Sequence, residues 1–165
     1  MDVATMRTLY DYNYWGRDRL LGAVRELPEA EYLAKRPMDY GSIHGTLVHA
    51  YAAEVIWHSR WLGVPTGQLI TGAELPSLTA LEAQWNEHEA QIRAFLDGLT
   101  DEQLASAVNY RRTDGTPFSR ILWQTMVHLI NHGTNHRSEV AAAATQLGHS
   151  PGDLDMIVFF NERAA

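Results

Sequence analysis

From Val3 to Leu27 the apolar residues Met6, Leu9, Tyr10, Tyr14, Leu20, Leu21 and Val24 recur near a spacing of three or four, and Pro28 closes the run. That period predicts an amphipathic helix, because side chains three and four apart share one face. A polar stretch through Pro37 follows. Ser42 then stands where its hydroxyl can cap a second helix, from about Ile43 to Leu62, that carries Leu47, Val48, Tyr51, Val55, Ile56 and Trp61. Gly63 and Pro65 end this helix, and a long connection rich in Gly, Thr and Pro runs to Ser77. Leu78, Leu81, Trp85, Ile92, Phe95, Leu96 and Leu99 mark a third amphipathic helix. Thr100 with Gln103 has the spacing of a capping box for a short extra turn.

Between Asn109 and Pro117 the stretch NYRRTDGTP predicts a tight turn or a small hairpin, since Asp-Gly flanked by polar residues favours neither helix nor long strand. Pro117 suits a helix start, so a fourth helix is expected from there to about Leu147, with Gly148 as its stop. The tail DLDMIVFF adds a short apolar element that has to dock. With no repeat and little β-branched alternation, the expected fold class is all-α. It would be a four-helix bundle with long connections, the third carrying a small irregular excursion.

Composition adjusts this picture. A chain of 165 residues with 45% hydrophobic content can bury one core, so a single domain over residues 1–165 is expected. The net charge of -7 and the absence of a Lys/Arg block argue against nucleic acid as a partner. No cysteine occurs, which excludes disulfides, thiolate ligands and a cysteine nucleophile. Neither a signal-peptide pattern nor a membrane-length apolar run is visible, so a soluble cytoplasmic protein with no membrane association is expected.

The eight histidines carry the chemical signal. At that frequency roughly 0.4 pairs at i,i+4 would arise by chance, and two are present. His128, His132 and His136 form one stripe on the fourth helix, each step rising roughly 6 Å. His128 and His136, roughly 12 Å apart along the axis, cannot both reach one ion. A third ligand would come from the second helix, which offers His44, His49 and His58. The small apolar surround of His49, with Ala52, Ala53 and Ile56 on its face, favours it mildly. His44 beside Gly45 and His58 near Glu54 have surface or ion-pair readings as well. A buried histidine is more often a satisfied core residue than a ligand, so spacing alone raises only a suspicion. Other constellations fail: His88-Glu89 has Ile92 where a zincin requires His, and no Glu-x-x-His or phosphate-binding Gly loop occurs. The five Trp residues read as core or interface anchors.

Three segments together resemble the DinB/YfiT-like family: YDYNYWGRDRLL on the first helix, GSIHGTLVHAYAAEVIWHSRWLG on the second and VHLINHGTNHR on the fourth. The resemblance implies a four-helix bundle in which one histidine of the second helix and an HxxxH pair of the fourth hold a metal. Those positions are His49, His132 and His136, and Arg137 matches as well. Ser138 and Glu139 stand where the family often has Gly and Gln.

Three neutral imidazoles leave a coordination position open, as in catalytic rather than closed structural sites, and Zn, Ni or Fe would each accept this ligand set. One divalent ion per chain is therefore expected. Asn13, Glu54, His128 and Asn135 are candidates to orient ligands or move protons, and no catalytic residue is assigned. The resemblance further implies a metal-dependent enzyme of small-molecule metabolism, a thiol-dependent S-transferase or isomerase whose relatives use bacillithiol and mycothiol. The alternative is a non-catalytic metal-binding or damage-response protein. A homodimer is expected on the same resemblance, and because one small core can seldom bury five Trp, seven Tyr and four Phe.

Overall fold

A computed structural model describes residues 1–65, 70–112 and 114–164. The chain is mainly α-helical. Its long helices are α1 (Val3–Arg25), α3 (Ile43–Trp61), α4 (Leu78–Asp97) and α6 (Leu122–Gln146); α2 (Glu29–Leu33), α5 (Asp101–Leu104) and α7 (Met156–Ala164) are short. Strands β1 (Ala107–Arg111) and β2 (Pro117–Ile121) form an antiparallel pair before α6. Among the described residues no helix is long and apolar enough to cross a membrane.

Local chemistry sets the helix ends. Asp2, Ser42 and Ser77 each accept a hydrogen bond from a first-turn backbone N–H, of Thr5, Gly45 and Ala80 respectively, so three long helices start on side-chain caps. Thr100 and Gln103 form the expected capping box on α5. Gly63 and Gly148, at φ 67° and 89°, take the left-handed conformation that stops α3 and α6. Part of the connection expected between Gly63 and Ser77, residues 66–69, lies outside the described residues, as do Thr113 and Ala165.

Two elements differ from expectation. The polar stretch after Pro28 contains helix α2, whose Tyr32 is buried. Pro117 opens β2 instead of a helix, and α6 begins at Leu122. The reason is cross-strand pairing: Tyr110 stands directly opposite Phe118, their rings stacked at 6.0 Å, a contact that only extended backbone allows. Pro117, first in its strand and opposite Arg111, withdraws no donor from the middle of the ladder.

The long helices pack in four pairs: α3 on α6, α1 on α6, α1 on α4, and α3 on α4. Their apolar faces divide into two clusters. One holds Leu20, Leu21, Leu47, Tyr51, Leu81, Trp85 and Val140, and the other Met6, Tyr10, Tyr14, Trp61, Ile92, Leu96, Met126 and Leu129. Buried polar residues Asn13, Arg17, Glu54, His58, His88, His136 and Arg137 come from the helix segments where these clusters meet. Arg17 is paired there at 2.6 Å with both Asp18 and Glu89, which offsets the cost of burying its charge.

Arg137 fixes the contact of α6 with α1. Its guanidinium donates to Asn13 Oδ1 at 2.5 Å and to Thr134 Oγ1 at 2.9 Å. It occupies a slot between two glycines, where a Cβ on Gly16 would come within 3.2 Å of its Nε and one on Gly133 within 2.9 Å of Nη1.

Candidate metal centre

Beside the face of α6 that meets α1, His132 and His136, one helical turn apart, project toward His49 of α3. His132 Nε2 lies 3.1 Å from His49 Nε2 and 3.2 Å from His136 Nε2. One ring nitrogen from each of the three lies within 4.8 Å of the others, so the group could hold a metal ion. Two imidazole nitrogens bound to a common ion at about 2.0–2.1 Å lie roughly 2.8–3.4 Å apart for angles between octahedral and tetrahedral. Both observed separations fall within that interval. The donor set agrees, since three converging ring nitrogens cannot all donate to one another, and lone pairs facing inward are relieved by a shared cation.

Two of the three imidazoles, His49 and His132, are held neutral, as metal ligation requires. Burial holds His49 at about 4, with the nearby His136 acting in the same direction. Burial likewise holds His132 at about 4, again reinforced by His136 and by His49 and His128. His136 Nδ1 faces Glu139 Oε2 at 3.6 Å, a carboxylate behind the ring that favours a proton on Nδ1 and leaves Nε2 with its lone pair. Glu139 Oε1 also accepts the Asp39 backbone N–H at 2.8 Å, which ties the segment before α3 to α6. That segment carries Tyr40, whose ring stacks on His49 at 3.7 Å and meets His136 edge-on at 5.5 Å. Asp39, His136 and Glu139 form a second possible ligand group that shares His136 with the first. His132 Nδ1 is buried without a hydrogen-bond partner among the described residues.

The other histidines have other partners. His128 is exposed and packs on Trp57 at 5.4 Å. His44 Nε2 meets the Leu75 carbonyl at 2.7 Å, and His58 is buried against His88, Trp61 and Phe95. Asn13 serves Arg137, and Asn135 is exposed. Glu54 is buried beneath the Tyr14 hydroxyl, which donates to it at 3.3 Å, and burial pushes its carboxyl up. Sequence reasoning passed over Tyr40, which no periodicity marks. Its only signal is its place two residues before the capping Ser42.

Fold and cluster together define a mainly helical protein with a three-imidazole group that can take a metal. The chain belongs to the DinB family, whose model matches residues 1–163. It is similar to Protein DinB of Bacillus subtilis (strain 168), 23% identical over 163 residues, an alignment covering 93% of this chain and 94% of that protein.

Proposed function

We propose that residues 1–165 form one DinB-like domain of the four-helix-bundle type that binds one divalent ion through His49, His132 and His136 and uses it in small-molecule chemistry. The convergence of three Nε2 atoms at 3.1 and 3.2 Å carries this reading. When bound, the ion supplies Lewis acidity: it polarises an oxygen, or lowers the pKa of a water or thiol, at the position three imidazoles leave open. The chain's own residues prepare that position. Glu139 orients His136, Tyr40 covers the ring of His49, and burial keeps His49 and His132 unprotonated at neutral pH.

The finer reading is a thiol-dependent S-transferase or isomerase, supported by the resemblance to relatives that use low-molecular-weight thiols. Elemental analysis tests the site: about one metal per chain in the wild type, none in His132→Ala, and near-normal content in His128→Ala. Equal loss in both variants would move the site. Metal-loaded protein incubated with electrophiles and a panel of cellular thiols tests the chemistry. Metal-dependent conjugation supports the enzyme, whereas stoichiometric binding without turnover favours a non-catalytic metal-binding protein.

A further inference from the structure

Arg60, near the end of α3, is a cation with no carboxylate partner among the described residues. Its Nε is buried with no hydrogen-bond partner among the described residues, and its guanidinium lies over the rings of Trp57 at 4.7 Å and Tyr110 at 5.0 Å. Burial lowers its pKa; of its neighbours, Tyr110 opposes that shift and Arg112 adds to it. It lines an open cleft of about 840 Å³ between the end of α3 and the hairpin, together with Tyr110, Arg111, Phe118, Val64 and Pro65. The Arg112 and Arg120 guanidinium groups cover Phe118 at 5.5 and 5.4 Å. Arg60, Arg112 and Arg120 thus gather over the face of the hairpin formed by Tyr110 and Phe118. Arg111 lines the cleft from the next strand position, with one guanidinium nitrogen on the Gly115 carbonyl at 2.8 Å. In a protein whose net charge is -7, the only acid from Ala105 to Ile121 is Asp114 in the hairpin turn.

The aromatic faces stabilise the guanidinium groups that lie over them. Neighbouring cations nevertheless repel one another, and none of these arginines has a carboxylate partner among the described residues, so a bound anion would relieve the repulsion. A guanidinium fork matches carboxylate or phosphate oxygens in pairs. The parallel Tyr110 and Phe118 rings, 19° apart in plane, offer a flat apolar surface beside that charge. The volume is that of a small-molecule site.

We propose that this cleft binds a small organic anion, with its carboxylate or phosphate against Arg60 and Arg111 and its planar apolar body against Tyr110 and Phe118. Trp57 forms the partition between the cleft and the histidine cluster, packing on Tyr110 at 5.1 Å and on His128 at 5.4 Å, with His128 6.1 Å from His132. Binding here therefore needs no metal.

The test is calorimetric titration of chelator-treated protein with phenyl phosphate, benzoate, inorganic phosphate and neutral benzyl alcohol. Saturable binding of phenyl phosphate or benzoate is expected, tighter than inorganic phosphate and absent for benzyl alcohol; whichever of the two binds more tightly identifies the head group. Arg60→Met and Arg111→Met should each weaken it about tenfold or more, the loss expected for a charge-assisted pair. His132→Ala should leave it unchanged. Arg111 is exposed, so Arg111→Met decides the matter if Arg60→Met loses its melting transition. No saturation at millimolar ligand, or unchanged affinity in Arg111→Met, would overturn the proposal. Loss of binding in a folded His132→Ala would do so too, by placing the ligand on the histidines.

Discussion

Two helical glycines should respond in opposite directions to the same substitution. Gly22 in α1 has nothing within 4 Å of the position a Cβ would take, so Gly22→Ala gains helix propensity alone, worth about 0.5–1 kcal/mol. At Gly133 in α6 the same gain applies, but the new methyl would lie 2.9 Å from Arg137 Nη1 and 3.1 Å from Asn13 Oδ1. Arg137 has little room to retreat, since even a Cβ on Gly16 would lie only 3.2 Å from its Nε on the other side. The substitution therefore breaks or distorts a buried hydrogen bond to a charged group, which costs about 1.5–3 kcal/mol. The clash wins, for a net loss of about 1–2 kcal/mol. For a chain of this size each kcal/mol moves Tm by roughly 2–4 °C, so calorimetry on chelator-treated protein should show Gly22→Ala melting higher and Gly133→Ala roughly 2–8 °C lower than the wild type. Gly133 also lies between the two histidines of α6. The metal concentration for half-saturation should therefore rise in Gly133→Ala and stay unchanged in Gly22→Ala. A Gly133→Ala protein as stable as Gly22→Ala would refute the account of Arg137 as the pin between α1 and α6.

Further outcomes follow from the titrating groups and the exposed surface. Burial and His88 hold His58 at about 4, below its unfolded value of 6.5. The unfolded chain thus takes up the proton first. Stability is fully present above pH 6.5 and is lost as pH falls toward 4, so Tm should drop less steeply over that window in His58→Phe than in the wild type. His49 and His132 are likewise held at about 4. Protons should therefore displace metal from those nitrogens only as pH nears that value, later than the ordinary histidine value of about 6.5 would imply. A metal-induced Tm increment that vanishes already at pH 6 would contradict this. On α7, Ile157 and Phe160 are exposed on one face, 63% and 43% accessible. Light scattering at micromolar concentration is expected to give twice the monomer mass of 18.6 kDa, and Ile157→Asp should halve it.

Most ends of the longer helices were legible because each rests on information within one segment. The hydroxyls of Ser42 and Ser77 and the Thr100–Gln103 box start helices by local hydrogen bonds, and Gly63 and Gly148 end them by a backbone conformation other residues avoid. Pro117 misled because its signal is ambiguous: the fixed φ of proline suits a helix start and also the first residue of a strand. What decides is the partner strand, where Tyr110 meets Phe118.

The site divides along the same line. His132 and His136 follow from helix period alone, which also sets His128 apart. The choice of His49 over His44 and His58 depends on how far α3 is slid and turned against α6, and residue spacing contains no such register. Family resemblance supplied it. In the structure, Arg137 in its two-glycine slot holds one face of α6 on α1, and this orients the neighbouring face, with His132 and His136, toward α3. The residues that complete the surroundings, Tyr40 and Glu139, act across 96 and 100 positions of chain from groups they touch: Tyr40 reaches His49 nearby but also His136 on α6, and Glu139 reaches back to Asp39. Contacts of that range leave no periodic trace. Those two residues, and not the three histidines, are where a change in sequence could alter the site's chemistry while leaving its ligands in place.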